Sequence, residues 1–156
     1  MNAAPLLVKL ARQFSQVKLE AILVGNAAAA LHGSPVTTID FDFMFRDTPQ
    51  NLRKLRALTD RLGGVLLRPY YPASKLYRLV SDREGLQVDF MPRLDGIRSF
   101  ASLRSRAVRL KFNGHAVLVA DLRDIIKSKR SAGRAQDKAV LPILEQTLHE
   151  KEKLNQ

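Results

Sequence analysis

The sequence has no cysteine, which excludes disulfides and thiolate metal sites alike. Its three histidines, His32, His115 and His149, neither cluster nor stand at metal-ligand spacing, and none is assigned a role. Nowhere do about 18 apolar residues run together, so no membrane-crossing helix and no membrane partner are expected. The stretch MNAAPLLVKLARQFSQVKLE interrupts its short apolar patch with Lys9 and Arg12, unlike the apolar segment of a signal peptide, and a cytoplasmic location is expected. Repeats, low-complexity tracts and a clear domain linker are missing too. The 156 residues are expected to form a single domain with a real core.

Acidic residues are also scarce. Fifteen Asp and Glu face 26 Lys and Arg, a formal charge of +11 that attracts polyanions at long range. Hydrophobic content of 46% and charged content of 26% are ordinary for a globular chain, and charge alone does not name the partner.

The pattern along the chain predicts helices and strands in mixed order. Leu6, Leu7, Leu10, Ala11 and Phe14 repeat at helical spacing from Pro5 to about Val17. EAILVG, Glu20 to Gly25, reads as a buried strand, and Asn26 as the N-cap of the alanine-rich helix after it. Gly33, Ser34 and Pro35 end that helix, and VTTIDFDFMF follows as a strand. Thr48 and Pro49 open a helix with Leu52, Leu55, Leu58 and Leu62 along one stripe. GVLLRPY, KLYRLVS and LQVDFMP read as strands, Phe100 to Arg104 as a short helix, and VRLKF with HAVLVA as a hairpin about Asn113-Gly114. Asp121 caps a helix from about Leu122 to Ala132, and a last helix follows Gly133. The fold expected is α/β (α+β): a mixed β-sheet flanked by helices, with a C-terminal helical portion over about 121–150.

Chemistry concentrates in TIDFDFMF. Alternation along a strand sends Asp40 and Asp42 to one face, and Ile39, Phe41 and Phe43 to the other. Two carboxylates about 6.5–7 Å apart on one strand face repel unless a cation sits between them. Asp89 lies in an equally apolar strand between Val88 and Phe90. If the two strands are neighbours, the three acids converge on a hard-cation site suited to Mg²⁺ or Mn²⁺. A solvated sheet face would also carry aspartates, and Asp47, Asp60 and Asp82 are read that way. Gly25-Asn26, at a strand-to-helix turn, is a natural place for a phosphate. Tyr70, Tyr71 and Tyr77 interleave with Arg68, Lys75 and Arg78, a pattern that suits either core packing or stacking on nucleic acid.

The order glycine turn, helix, Asp-x-Asp strand and later lone Asp, standing as VGNAAAALHGSPVTTIDFDFMF and LQVDFMP, resembles the DNA polymerase β-like nucleotidyltransferase superfamily. LHGSPVTTIDFDF and DLRDIIKSKRSAGRAQDKAVLPILEQTL are similar to the small bacterial branch related to abortive-infection and minimal nucleotidyltransferase toxins. The resemblance spans roughly Ala21 to Leu148. It implies that Asp40, Asp42 and Asp89 hold two Mg²⁺ ions and that Asp89 is the better general-base candidate. It also implies that Gly25 and Asn26 contact the phosphates of a nucleoside triphosphate, that Lys129 neutralises phosphate charge, and that Asp137 lines the site. Ser34 and Arg46 are counted with the nucleotide contacts. Asn26 stands where the motif has Gly or Ser, and Val36 where relatives often have Arg; Arg46 is the candidate substitute.

The activity implied is transfer of a nucleoside monophosphate to an acceptor hydroxyl. RNA such as tRNA is the expected acceptor, and a toxin role with an antitoxin partner is an accompanying expectation. The alternatives are transfer to a small molecule or protein, for which the chain looks short, and a catalytically silent binding module.

Overall fold

The structure is a computed structural model and describes residues 4–38 and 40–155. Ile39, expected on the packing face of the acid strand, lies outside the described residues. The elements follow in the order α1 (Ala4–Val17), β1 (Ala21–Val24), α2 (Gly25–Leu31), β2 (Phe41–Phe45), α3 (Pro49–Arg61), β3 (Val65–Leu67), β4 (Tyr77–Ser81), β5 (Leu86–Met91), α4 (Phe100–Arg106), β6 (Val108–Phe112), β7 (His115–Val119), α5 (Leu122–Ala132) and α6 (Ala135–Leu154). The strands form one sheet in the order β3-β4-β5-β2-β1-β7-β6. It is mixed: β1 runs antiparallel to β2 but parallel to β7, and β2 runs parallel to β5.

Local chemistry explains most boundaries. The Thr48 side chain accepts a hydrogen bond from the Asn51 amide, with Pro49 opening α3, and Asp121 caps α5 through the Arg123 amide. Gly133, at φ 64°, closes α5 in the left-handed conformation that glycine adopts without strain. The β6–β7 hairpin turns on Asn113 and Gly114, both at positive φ, as a two-residue turn of this hand requires.

Three boundaries differ from those the sequence suggests. The acid strand begins at Phe41 rather than Val36, because the Thr38 hydroxyl accepts the Asp40 amide at 3.0 Å and diverts the backbone from the ladder. GVLLRPY contributes only Val65–Leu67 to the sheet. Asn26 is not a cap: Val24 holds the N-cap position of α2 without any side-chain bond, and Asn26 lies inside the first turn.

Phe14 of α1 meets Phe43 edge-on at 5.0 Å, and Phe43 stacks on Phe90 at 5.5 Å. All three rings are buried, so α1 covers the sheet face on which the apolar side chains of β2 and β5 stand. Helix α3 packs beside α1, while α2 touches β1, β2 and α5, and α5 packs on α6. By strand alternation, the face left for Asp42 and Asp89 is the one bordered by α2 and α5.

Replacing Phe43 with Ala removes a buried ring from the middle of this cluster and is expected to cost about 3–5 kcal/mol. Urea unfolding followed by circular dichroism checks it; a loss below about 1 kcal/mol would mean that the ring cluster does not hold the sheet.

Candidate active site

A cleft of about 1370 Å³ opens over the non-aromatic face of the sheet. Its wall includes Gly25, Asn26, Asp40, Asp42, Asp89, Lys129 and Asp137, seven of the residues singled out from the sequence. Ser34 and Arg46 are not among them. Ser34 is buried and donates to the Thr147 hydroxyl at 3.0 Å, tying the end of α2 to α6. Arg46 pairs with Glu20 at 3.2 Å and lies over the Phe100 ring at 4.7 Å. Neither lines the cleft, and each satisfies a partner elsewhere.

The parallel pairing of β2 and β5 sets Asp42 directly beside Asp89. Their side chains share a face because their neighbours do on the other: Phe41, Phe43, Val88 and Phe90 are all buried. Behind Asp42 the chain leaves no spare room. A Cβ on Gly25 would come within 3.1 Å of an Asp42 carboxylate oxygen, and Gly25 also holds φ 68°, so glycine is required twice over. The buried Oδ1 of Asn26 has no hydrogen-bond partner among the described residues.

The acids differ in how their charge is met. Burial, then Asp89, then Asp40 oppose ionisation of Asp42, and its carboxyl is pushed up to about 6. Asp89 is held by Arg78, which stands opposite it on the antiparallel strand β4. The guanidinium donates from Nε to Oδ1 at 2.8 Å and from Nη2 to Oδ2 at 3.1 Å. Asp40 is exposed on the segment just ahead of β2. Of the three acids, Asp89 is paired, Asp42 is half-buried and Asp40 is open. Among the described residues, no three His, Cys, Asp or Glu side chains come together as a metal cage.

Across the cleft, Asp137 is 1% exposed and accepts from Arg134 Nε at 2.7 Å, with Lys129 Nζ 3.7 Å away. Burial pushes the Asp137 carboxyl up, but the Arg134 hydrogen bonds and both cations outweigh it and hold the carboxyl below its usual range. Burial draws the Lys129 ammonium below its ordinary value despite Asp137. Tyr70, in the cleft wall, is exposed, as is Tyr71 next to it, and Arg68 lies over the rings of Tyr71 at 4.0 Å and Tyr77 at 4.7 Å. Tyr77 itself packs edge-on against Phe45, so it belongs to the core side of that group.

Arg78 and Arg134 are the two cationic residues whose roles the sequence did not disclose. For Arg78 the missing signal is the register: Ser81 pairs with Leu86 across the turn at 82–85, and that sets residue 78 against 89.

Neither a protein-family model nor a curated protein matches the sequence. Solved structures do. The antibiotic-resistance factor ANT(2'')-Ia, in a complex with adenylyl-2''-tobramycin, superposes with a TM-score of 0.65 at 16% identity, over 97% of this chain and 92% of that one. A Thermotoga maritima protein described as a nucleotidyltransferase gives 0.64 at 18% identity, over 94% and 92%. A nucleotidyltransferase-like antigen of Paracoccidioides brasiliensis gives 0.56 at 16% identity, over 93% and 74%. The chain has a nucleotidyltransferase fold. Identities of this size establish the architecture; what the cleft does must be argued from its residues.

The raised Asp42 carboxyl predicts a pH-dependent gain in stability on its removal. A folded-state value above the unfolded one, near 3.8, favours folding fully below pH 3.8, and that contribution is lost as pH rises through about 6. In metal-free buffer at pH 8, Asp42→Asn is therefore expected to melt several degrees above the parent, the difference being at most about 3 kcal/mol. The gap should close towards pH 4. Equal melting of the two proteins at pH 8 would show that Asp42 ionises without strain.

Proposed function

We propose that the protein is a nucleotidyltransferase that moves a nucleoside monophosphate from a nucleoside triphosphate to an acceptor hydroxyl. The observation that carries this reading is Asp42, half-buried against Gly25 with its negative charge unneutralised, inside a polar cleft of this fold. The residues suit a divalent cation. Asp40 and Asp42 offer hard oxygen donors, and the burial and repulsion that oppose ionisation of Asp42 are what a nearby cation relieves. A bound Mg²⁺ or Mn²⁺ would polarise the α-phosphate and steady the charge that develops on transfer.

The acceptor oxygen forms a bond to the α-phosphorus, the bond from that phosphorus to the bridging oxygen breaks, and pyrophosphate leaves. Lys129, on α5, faces the cleft and would offset phosphate charge, with Asp137 and Arg134 fixing its surroundings. Gly25 lets the nucleotide approach the backbone at the start of α2. Asp89 was expected to serve as the general base. Arg78 engages both of its oxygens in hydrogen bonds, and the acceptor proton is assigned to solvent.

RNA is the acceptor the charge favours. Six acids and five bases line the cleft, so the whole basic surplus lies outside it, and Tyr70 stands exposed in its wall next to Tyr71, over whose ring Arg68 lies. A small-molecule acceptor is the second reading. Chain length does not argue against it, because the aminoglycoside-bound neighbour is matched over 92% of its own length. The positive surface does, since it repels a cationic acceptor such as an aminoglycoside. The toxin role and an antitoxin partner rest on the resemblance of the C-terminal segment alone.

With α-labelled nucleoside triphosphates, Mg²⁺ and total RNA, the protein is expected to label RNA. Asp40→Asn and Asp42→Asn should each lower transfer by more than about a hundredfold while the circular dichroism spectrum is kept. Transfer that survives both substitutions would refute the site. No transfer with any of the four nucleotides, together with no Mg²⁺-dependent thermal stabilisation by them, would favour a silent binding module.

A further inference from the structure

The pairing of Arg78 with Asp89 has consequences for how many cations the cleft can hold. Both residues line it, and their side chains are 25% and 16% exposed. The two hydrogen bonds run to different oxygens of the carboxylate, the fork geometry that makes such pairs strong and directional. A guanidinium does not deprotonate in a protein, so this is a permanent positive charge within the cleft. The antiparallel register holds it there, because residues 78 and 89 are cross-strand partners between Leu79↔Val88 and Tyr77↔Phe90, whose members on β5 are both fully buried. A divalent ion approaching Asp89 would have to break both hydrogen bonds and sit beside a like charge. Among the described residues Asp40 and Asp42 carry no such partner: Asp40 is exposed, and the cations that act on Asp42, those of Lys129 and Arg134, are engaged with Asp137 across the cleft.

We propose that Arg78 takes the place of a second metal ion, so that the site binds one divalent cation, on Asp40 and Asp42, with the Arg78 guanidinium as its fixed second positive charge. This rests on the nucleotidyltransferase reading and specifies the machinery of that same cleft. Asp89 is then the anchor that positions Arg78 rather than a metal ligand.

Titration of the metal-free protein with Mn²⁺, followed by electron paramagnetic resonance, counts ions without requiring turnover. The parent chain is expected to take one ion with an uncoupled signal, and Asp89→Asn should still take one. Arg78→Gln frees the Asp89 carboxylate and should admit a second ion, giving the coupled signal of a pair about 3.5–4 Å apart. Arg78→Lys keeps a cation at the position and should remain at one. Should Arg78→Gln fail to fold by circular dichroism, the parent, Asp89→Asn and Arg78→Lys decide the matter. Two ions in the parent, falling to one in Asp89→Asn, would overturn the proposal and leave the transferase reading intact, as would a folded Arg78→Gln protein that still takes a single ion. No bound Mn²⁺ in the parent, or one ion that survives Asp40→Asn and Asp42→Asn, would overturn the metal site itself and this proposal with it.

Discussion

The parallel pairing of β2 with β5 is the constraint on which the site depends. It joins segments some 45 residues apart and aligns Phe41 with Val88, Asp42 with Asp89 and Phe43 with Phe90. Side chains alternate with a period of two, so a slip of one residue would send a carboxylate into the aromatic cluster and a phenyl ring into the cleft. Burying an unpaired carboxylate among those rings would cost several kcal/mol. Phe14, Phe43 and Phe90 therefore do more than fill space: by holding the register from one face, they hold the two acids side by side on the other.

Having forced two negative charges together, the fold treats each differently. Asp89 receives a guanidinium from the next strand. Asp42 receives none directly among the described residues and keeps the strain of burial and repulsion. Asp137, more deeply buried than either, is matched by Arg134 and Lys129 and titrates low. The carboxylate left without a direct cation is the one against the glycine turn, where a Cβ on Gly25 would press on it at 3.1 Å. A group that the protein could have neutralised and did not is where binding energy from outside the chain has most to gain.

How much of this was legible in the sequence depends on whether the signal was local. The caps at Thr48 and Asp121, the Asn113-Gly114 hairpin and the alternation around Asp42 and Asp89 are settled within a few residues, and the sequence pattern anticipates them. The departures come from competition. The Thr38 hydroxyl takes the Asp40 amide and ends the strand early, while Val24 rather than Asn26 occupies the cap because Gly25 already turns at positive φ. Ser34 and Arg46 have the right chemistry for a nucleotide but are bound to Thr147, Glu20 and Phe100, partners between 26 and 113 residues away. The pair Arg78–Asp89 needs the register of a hairpin whose turn carries no short two-residue signature, so residue types alone could not join them.

The distribution of charge links site and surface. A chain of +11 would ordinarily flood its main cleft with positive potential, yet the acids and bases lining this one nearly balance. The balance is achieved pairwise, Arg78 on Asp89 and Arg134 with Lys129 on Asp137, and short pairs of opposite charge produce fields that cancel within a few ångströms. What reaches a distant partner is the surplus of basic charge outside the cleft, which attracts polyanions over about a Debye length of 8–10 Å. What a molecule meets inside is local and of both signs, with the unneutralised acid at Asp42 and fixed cations at Arg78 and Lys129 on either side. Attraction and chemistry are thus assigned to different parts of the molecule: long-range charge gathers the polyanion, and the register of two strands decides where its phosphate would come to rest.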